Sequence, residues 1–332
     1  MLFKKKIDVV SIGDTATDAF IRIKDAHVHC NLNKNNCELC FGFGDKVPYE
    51  NVTVVPGVGN SANAAVSFSK LGLRSAFISN VGDDRFGTEC MEALEAHGVA
   101  TRYMSRQKGI PTSYHYILWY DNERTILTHH EDYIYTLPAF PEPQWMYLSS
   151  LGSSAKDFHN DISEYLLSHP KVKLAFQPGT FQIKLGAEAL KSIYGRTEVF
   201  ISNLEEAQKI LETNESDAKK LINMMQAKGP KIVVITDGPQ GAYAGDGVKT
   251  YYMPAYPDER PAFERTGAGD AFASALVAFL IKGKTLPEAL KLAPIDSASV
   301  VQKIGSQAGL LTEKEIYEWL HKAPLDYGPK EI

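Results

Sequence analysis

The stretch Glu264-Arg265-Thr266-Gly267-Ala268-Gly269-Asp270-Ala271-Phe272 decides how the rest of this chain is read. Three small residues precede an acid, and an apolar run over 271–281 follows. The large side chains of that run, Phe272, Leu276, Phe279 and Leu280, are separated by Ala271, Ala273, Ala275 and Ala278, the pattern of a helix with almost no polar surface. Such a helix is buried, so its first turn lies inside the protein with backbone N–H groups that need acceptors. Glycines let an anion approach those groups, and the helix dipole favours its charge by roughly 0.3–2 kcal/mol. Asp270 in the same turn would repel that anion. Two readings fit: an acid that stabilises the start of a helix, or a base that deprotonates a hydroxyl beside a bound phosphate.

The surroundings bound the choice. With 332 residues the chain suits one large α/β unit with an appendage, and its formal net charge of −5 argues against a general nucleic-acid binder. The start, Met-Leu-Phe-Lys-Lys-Lys, is too soon interrupted for a signal peptide, and no apolar run approaches the length of a membrane span. Four cysteines in so long a chain do not suggest a disulfide scaffold, so the expectation is a cytoplasmic protein with no membrane or nucleic-acid partner.

Upstream, Ile7-Asp8-Val9-Val10-Ser11-Ile12 reads as a buried strand with Asp14 and Asp18 just beyond its carboxyl end, where ligands of parallel sheets sit. Either acid is a turn residue or a partner for polyol hydroxyls. Residues 19–55 change to short β-like pieces and hold Cys30, Cys37 and Cys40 beside His27 and His29. Cys37-Glu38-Leu39-Cys40 has zinc-knuckle spacing that Cys30 or a histidine could complete, against the alternative of free reduced cysteines. Then comes Pro56-Gly57-Val58-Gly59-Asn60-Ser61-Ala62-Asn63 and a helix. Gly57-x-Gly59-x-x-Ala62, with Asp83 further on, matches a dinucleotide fingerprint. Asn60 and Asn63 have no task in a pyrophosphate turn, and two amides suit sugar hydroxyls better.

A second β-rich insertion holds Tyr114, Tyr116, Leu118 and Tyr120 alternating with His115, Ile117 and Trp119, then a hairpin partner over 124–128. A strand apolar on both faces needs two covers: substrate on one side and a second copy of the sheet on the other, a homodimer through the lid. From Trp145 onward βα alternation returns. Asn203 and Glu206 have capping-box spacing. Thr236-Asp237-Gly238-Pro239-Gln240-Gly241 is a glycine-bearing turn after a strand, and a loop around Gly305 could close over a base or an ion. The expected fold is a three-layer α/β/α unit with a mostly parallel sheet (1–18, 52–99 and 136–332) and a β lid from two insertions (19–51 and 100–135).

In their order along the chain these motifs resemble the ribokinase, or PfkB-type, family of sugar and nucleoside kinases. The resemblance rests on Thr266-Gly267-Ala268-Gly269-Asp270, on Gly59-Asn60-Ser61-Ala62-Asn63 with Val81-Gly82-Asp83-Asp84-Arg85-Phe86-Gly87, and on the later turns at Asn203, Asp237 and Lys303-Ile304-Gly305-Ser306. It implies ATP-dependent phosphorylation of a hydroxymethyl group. Asp270 would be the base, and Gly267, Ala268 and Gly269 would offer N–H groups to the phosphoryl. Asp18, Gly59, Asn60 and Asn63 would hold the substrate. Asn203, Thr236, Gly238, Gly241 and Gly305 would line the nucleotide site, with Glu206 serving Mg2+. Nothing in the sequence looks like a dedicated sugar-phosphate cluster, so an unphosphorylated ribose- or fructose-like sugar is expected, with a nucleoside as the alternative. Glu264-Arg265 stands where family members commonly have Asp-Thr, and this leaves the implied K+ site at that acid open.

Overall fold

Val9-Val10-Ser11-Ile12, Trp145-Met146-Tyr147-Leu148 and Leu174-Ala175-Phe176 are buried on both faces, an environment found in a parallel sheet covered on two sides. The computed structural model describes residues 6–30, 37–121, 123–257, 260 and 262–332. The first half of the chain runs β1 (Val9–Ile12), β2 (Ala16–Ile23), β3 (His27–Cys30), β4 (Cys37–Cys40), β5 (Tyr49–Val58), α1 (Asn60–Lys70), β6 (Ser75–Ile78), β7 (Asn80–Gly82), α2 (Arg85–Ala96), β8 (Ser105–Gln107), β9 (Tyr114–Tyr120) and β10 (Glu123–Leu127). It continues through β11 (Trp145–Leu148), α3 (Phe158–Ser168), β12 (Lys173–Phe176), α4 (Thr180–Leu185), α5 (Lys191–Arg196), β13 (Thr197–Asn203), α6 (Leu204–Leu211), α7 (Ala218–Gln226) and β14 (Ile232–Thr236). The last part holds β15 (Ala242–Gly245), β16 (Thr250–Met253), α8 (Ala268–Ile281), α9 (Leu286–Val300), α10 (Glu313–Lys322) and β17 (Lys330–Glu331).

The main sheet has the order β17-β16-β15-β14-β13-β12-β11-β1-β6, parallel from β14 to β6 and antiparallel at the other edge. Successive residues feed opposite cores. Val9, Tyr147, Ala175 and Val234 join Phe68, Phe272, Leu276, Leu290 and Ile316 on one side. Val10, Met146, Phe176 and Val233 join Ile162, Ile193, Ile210 and Leu221 on the other. This is the expected α/β/α layering. Helix α8 is buried at every position from Asp270 to Phe279, as its alanine spacing requires.

The lid is a separate sheet of order β10-β9-β2-β5, with β2 and β9 parallel at its centre. Its inner face carries Phe20, Ile117 and Trp119, all buried, and Trp119 meets Phe263 of the core edge-on at 5.0 Å between ring centroids. Its outer face leaves Val52, Val54, Tyr116 and Leu127 exposed. Two expected boundaries shift. Strands β2 and β5 reach back to Ala16 and on to Val58, so 16–18 and 52–58 belong to the lid sheet. Residues 100–107 stay with the main unit, because Ala100 bridges Ala76 and β8 pairs with β7.

The cysteine reading is corrected. In the β3–β4 pair Cys30 lies opposite Cys37 and the two form a disulfide, while Cys40 lies at the far end opposite His27. Two of the three thiolates needed for zinc are therefore consumed, and only Cys40 and Cys90 are free thiols among the described residues. No cluster of three His, Cys, Asp or Glu side chains able to hold a metal exists among the described residues. No described helix is long and apolar enough to cross a membrane.

Candidate active site

The chain leaves the carboxyl ends of β1, β12, β13 and β14 at Asp14, Gln177, Asn203 and Thr236, and the amino end of α8 belongs to the same region. Gly267 caps α8 in the left-handed conformation (φ 82°). A Cβ there would lie 2.4 Å from Ser306 Cβ, so glycine is required both by conformation and by the close approach of the 305 loop. Gly269 is different. It has no positive φ, and a Cβ built on it meets nothing within 4 Å. A glycine inside a helix costs roughly 0.5–1 kcal/mol relative to alanine, and no neighbour in the fold demands this one. The Gly269 and Asp270 N–H groups have no acceptor among the described residues. Open space, a glycine and free N–H groups together form a place for an anion.

Asp270 is almost fully buried and surrounded by amides. Asn63 Nδ2 donates to Oδ2 at 2.8 Å, while Asn60 Nδ2 at 3.0 Å and Gln177 Nε2 at 3.2 Å donate to Oδ1. Burial pushes the carboxyl above its ordinary value, and the three amides pull against it without cancelling it. Asn60 and Asn63 are thus brought to Asp270 itself. Asn63 is committed at its other end too, since its Oδ1 accepts from Ser306 Oγ at 2.8 Å and Gln307 Nε2 at 3.1 Å. Gly59 (φ 123°) sets this turn against the backbone of Asp14, 2.8 Å from where its Cβ would be. Sequence reasoning passed over Gln177. Its one signal was an amide at the end of a strand, in Gln177-Pro178-Gly179.

Of the two acids after β1, the structure separates the roles. Asp14 is half-buried, accepts the Tyr135 hydroxyl on both oxygens at 2.8 and 3.0 Å, and is pushed up to about 6 by desolvation. Asp18 lies in β2 with Oδ1 3.1 Å from His115 Nδ1 of β9. His115 Nε2 is buried with no partner among the described residues, and the His130 ring stands 5.0 Å away, with Phe181 beyond it at 5.7 Å. His115 and His130 were not singled out from the sequence, although the alternation of β9 had placed His115 on the face of Ile117 and Trp119.

Asn203 and Glu206 form the capping box that their spacing predicted: Glu206 N–H donates to Asn203 Oδ1 at 2.8 Å, and Asn203 N–H to Glu206 Oε2 at 2.9 Å. The box also aims Glu206 at the site. Burial raises its carboxyl, and the charge of Asp270 adds to the rise. Thr236 pairs with Asn203 across β13 and β14. Gly238 (φ 51°) opens onto free space, whereas Gly241 (φ 99°) is fixed by the fold, its Cβ position lying 2.2 Å from Met253 O. Gly305 leans towards Val55 and Phe20 of the lid. Glu264 is buried and ion-paired, though not with its neighbour: Arg124 of β10 reaches its Oε1 at 3.1 Å, and Arg265 is exposed. The dinucleotide reading falls away, because the strand before Gly57 belongs to the antiparallel edge of the lid sheet rather than to a parallel βαβ unit.

The model of the pfkB family of carbohydrate kinases matches residues 7–313, and the chain belongs to that family. An ATP-dependent 6-phosphofructokinase of Thermoanaerobacterium thermosaccharolyticum is 25% identical over 317 residues, covering 91% of this chain and 90% of the relative. A ribokinase of Bacillus subtilis is 27% identical over 285 residues, covering 83% of this chain and 92% of the relative. The structure of an Arabidopsis thaliana ribokinase complexed with ribose and ATP superposes with a TM-score of 0.77 at 17% identity, over 95% of this chain and 99% of that one. The protein has the ribokinase fold and is a phosphotransferase that acts on a hydroxyl group.

Gly269→Ala separates fold from function. Calorimetry should show an unchanged or slightly higher Tm, because alanine favours the helix and has space, while kcat of the phosphotransfer should fall by roughly 10–10³-fold as the methyl enters the anion position. A variant with full activity would show that the glycine serves no ligand.

Proposed function

We propose that this kinase transfers the γ-phosphoryl of ATP to a hydroxymethyl group of an unphosphorylated, ribose- or fructose-like sugar. The observation that carries the reading is Asp270, a buried carboxylate held by three amides beside the free N–H groups of α8. In this reading Asp270 takes the proton of the attacking hydroxyl, and the Gly267–Gly269 turn stabilises the charge on the transferring phosphoryl. Asn60, Asn63 and Gln177 hold the base in place and keep it ionised. The lid keeps water out, which would otherwise accept the phosphoryl.

The nucleotide fits along Asn203, Thr236, Gly238 and Gly305, at the carboxyl ends of β13 and β14 and beside the lid. Mg2+ fits at Glu206, directly or through water. Glu206 and Asp270 raise each other's cost of ionisation, and a dication near them relieves it while neutralising phosphate charge. ATP as the donor makes the cytoplasm the natural compartment.

The substrate end supports a neutral polyol. Asp18, His115 and His130 offer hydroxyl partners, and a carboxylate is a poor neighbour for a sugar phosphate. Three arginines of the lid and its surroundings already have partners: Arg22 lies over Trp119, Arg85 pairs with Glu89, and Arg106 pairs with Asp83. The relative named as a 6-phosphofructokinase supplies the competing substrate, and stacking partners such as Phe181 would suit the nucleoside alternative.

ADP release should be measured with ribose, fructose, fructose 6-phosphate and adenosine. Turnover with a free sugar is expected, and Asp270→Asn should lower it by roughly 10²–10⁴-fold while ATP still binds. A preference for the sugar phosphate would overturn the substrate reading. The exposed Val52, Val54, Tyr116 and Leu127 on the outer lid face further support a homodimer formed sheet to sheet. Light scattering should give twice the mass of 36.7 kDa, and charge at Val54 (Val54→Lys) should return it to the monomer value.

A further inference from the structure

Arg124 and Glu264 meet where the lid touches the start of the anion turn. Glu264 is 4% exposed, and its Oε1 accepts from the Thr266 N–H at 2.7 Å, from the Thr266 hydroxyl, and from Arg124 at 3.1 Å. Its backbone N–H, like that of Phe263, donates to Val301 O. Thr266 leads directly into Gly267, so the Glu264 carboxylate sets where the turn begins. A charge held away from water is costly unless it is paired. Arg124 supplies the partner from β10, the edge strand of the lid. Arg124 pairs with Trp119 in the β9–β10 ladder, and Trp119 packs on Phe263, the residue before Glu264. Two neighbouring lid side chains therefore dock on two consecutive core residues.

A monovalent cation, which the resemblance implies at this acid, does not fit the same arrangement. A guanidinium already occupies its place on Oε1, and a second cation there would face it at close range. We propose that Arg124 is a built-in cation for Glu264, a positioning residue that replaces K+ and makes order in the anion turn depend on a seated lid. The proposal rests on the reading of that turn as the phosphoryl-binding element. Its chemistry is specific: Oε2 of Glu264 has no partner among the described residues, so removing Arg124 leaves a buried, unpaired carboxylate open to a small cation.

The test compares melting curves in KCl and in tetramethylammonium chloride at constant ionic strength. Wild type should melt at the same temperature in both salts. Arg124→Ala should melt lower in tetramethylammonium and recover saturably with KCl. Arg124→Lys should keep the wild-type indifference, and adding Glu264→Gln to Arg124→Ala should abolish the K+ response. If Arg124→Ala does not fold, Arg124→Gln carries the same readout. On the sugar turned over best, Arg124→Ala should lose roughly ten-fold or more in kcat with a smaller change in KM, and KCl should restore it. A K+-specific shift in wild type, or none in Arg124→Ala, overturns the proposal. The melting curves decide it even if no sugar in the panel is phosphorylated, which keeps its failure apart from failure of the kinase reading.

Discussion

The cost of keeping one carboxylate charged away from water governs this structure. An isolated buried carboxylate would simply take up a proton. Asp270 offsets part of that cost through three amide donors, each a charge-assisted hydrogen bond worth roughly 1.5–3 kcal/mol. Those donors arrive from distant places: Asn60 and Asn63 from α1, Gln177 from the end of β12. Their positions in turn need Gly59 in its unusual conformation and Ser306 and Gln307 behind Asn63. Asp270 is thus tied to the turn at Gly59, the main sheet and the 305 loop by one network. Displacing any of them removes support from the charged form of this carboxyl.

The same problem is solved a second time at Glu264, with a different partner. There the compensating charge comes from the lid, so one end of the anion turn is secured within the core and the other from outside it. Helix α8 can be apolar almost throughout because both of the charges at its start are satisfied by residues from other elements. A buried ion pair contributes little net stability. Its value here is geometric, since the pair forms only when β10 lies over Phe263 and Glu264.

Much of this could be read from the sequence, and what could not has identifiable causes. The glycine–acid turn, the buried α8, the βα alternation and the Asn203–Glu206 box are local patterns, and local patterns fix local geometry. Asn60 and Asn63 read as a pair for sugar hydroxyls, and a turn with two amides cannot reveal that they face an aspartate some two hundred residues away. Gln177 carries only the faint signal of an amide at a strand end and Arg124 carries none, because their partners are set by the sheet order and by how the lid folds over. Arg265 stands next to Glu264 in sequence, yet the ion pair is made by Arg124, which lies far off in the chain. The cysteines misled for a related reason: C-x2-C spacing describes one strand, whereas Cys37 finds Cys30 across the hairpin.

The proposed role of Asp270 as a base whose ionisation is tuned by opposing forces is tested most directly by the pH profile of kcat/KM. Burial raises the Asp270 carboxyl, and the protonated form cannot accept a proton, so activity should fall with decreasing pH at a value above the ordinary carboxylate range near 4. Gln177→Leu removes a donor that favours the charged form, so its acid limb should lie at still higher pH. An acid limb at or below about 4 in wild type, or one that moves down in Gln177→Leu, would contradict the account.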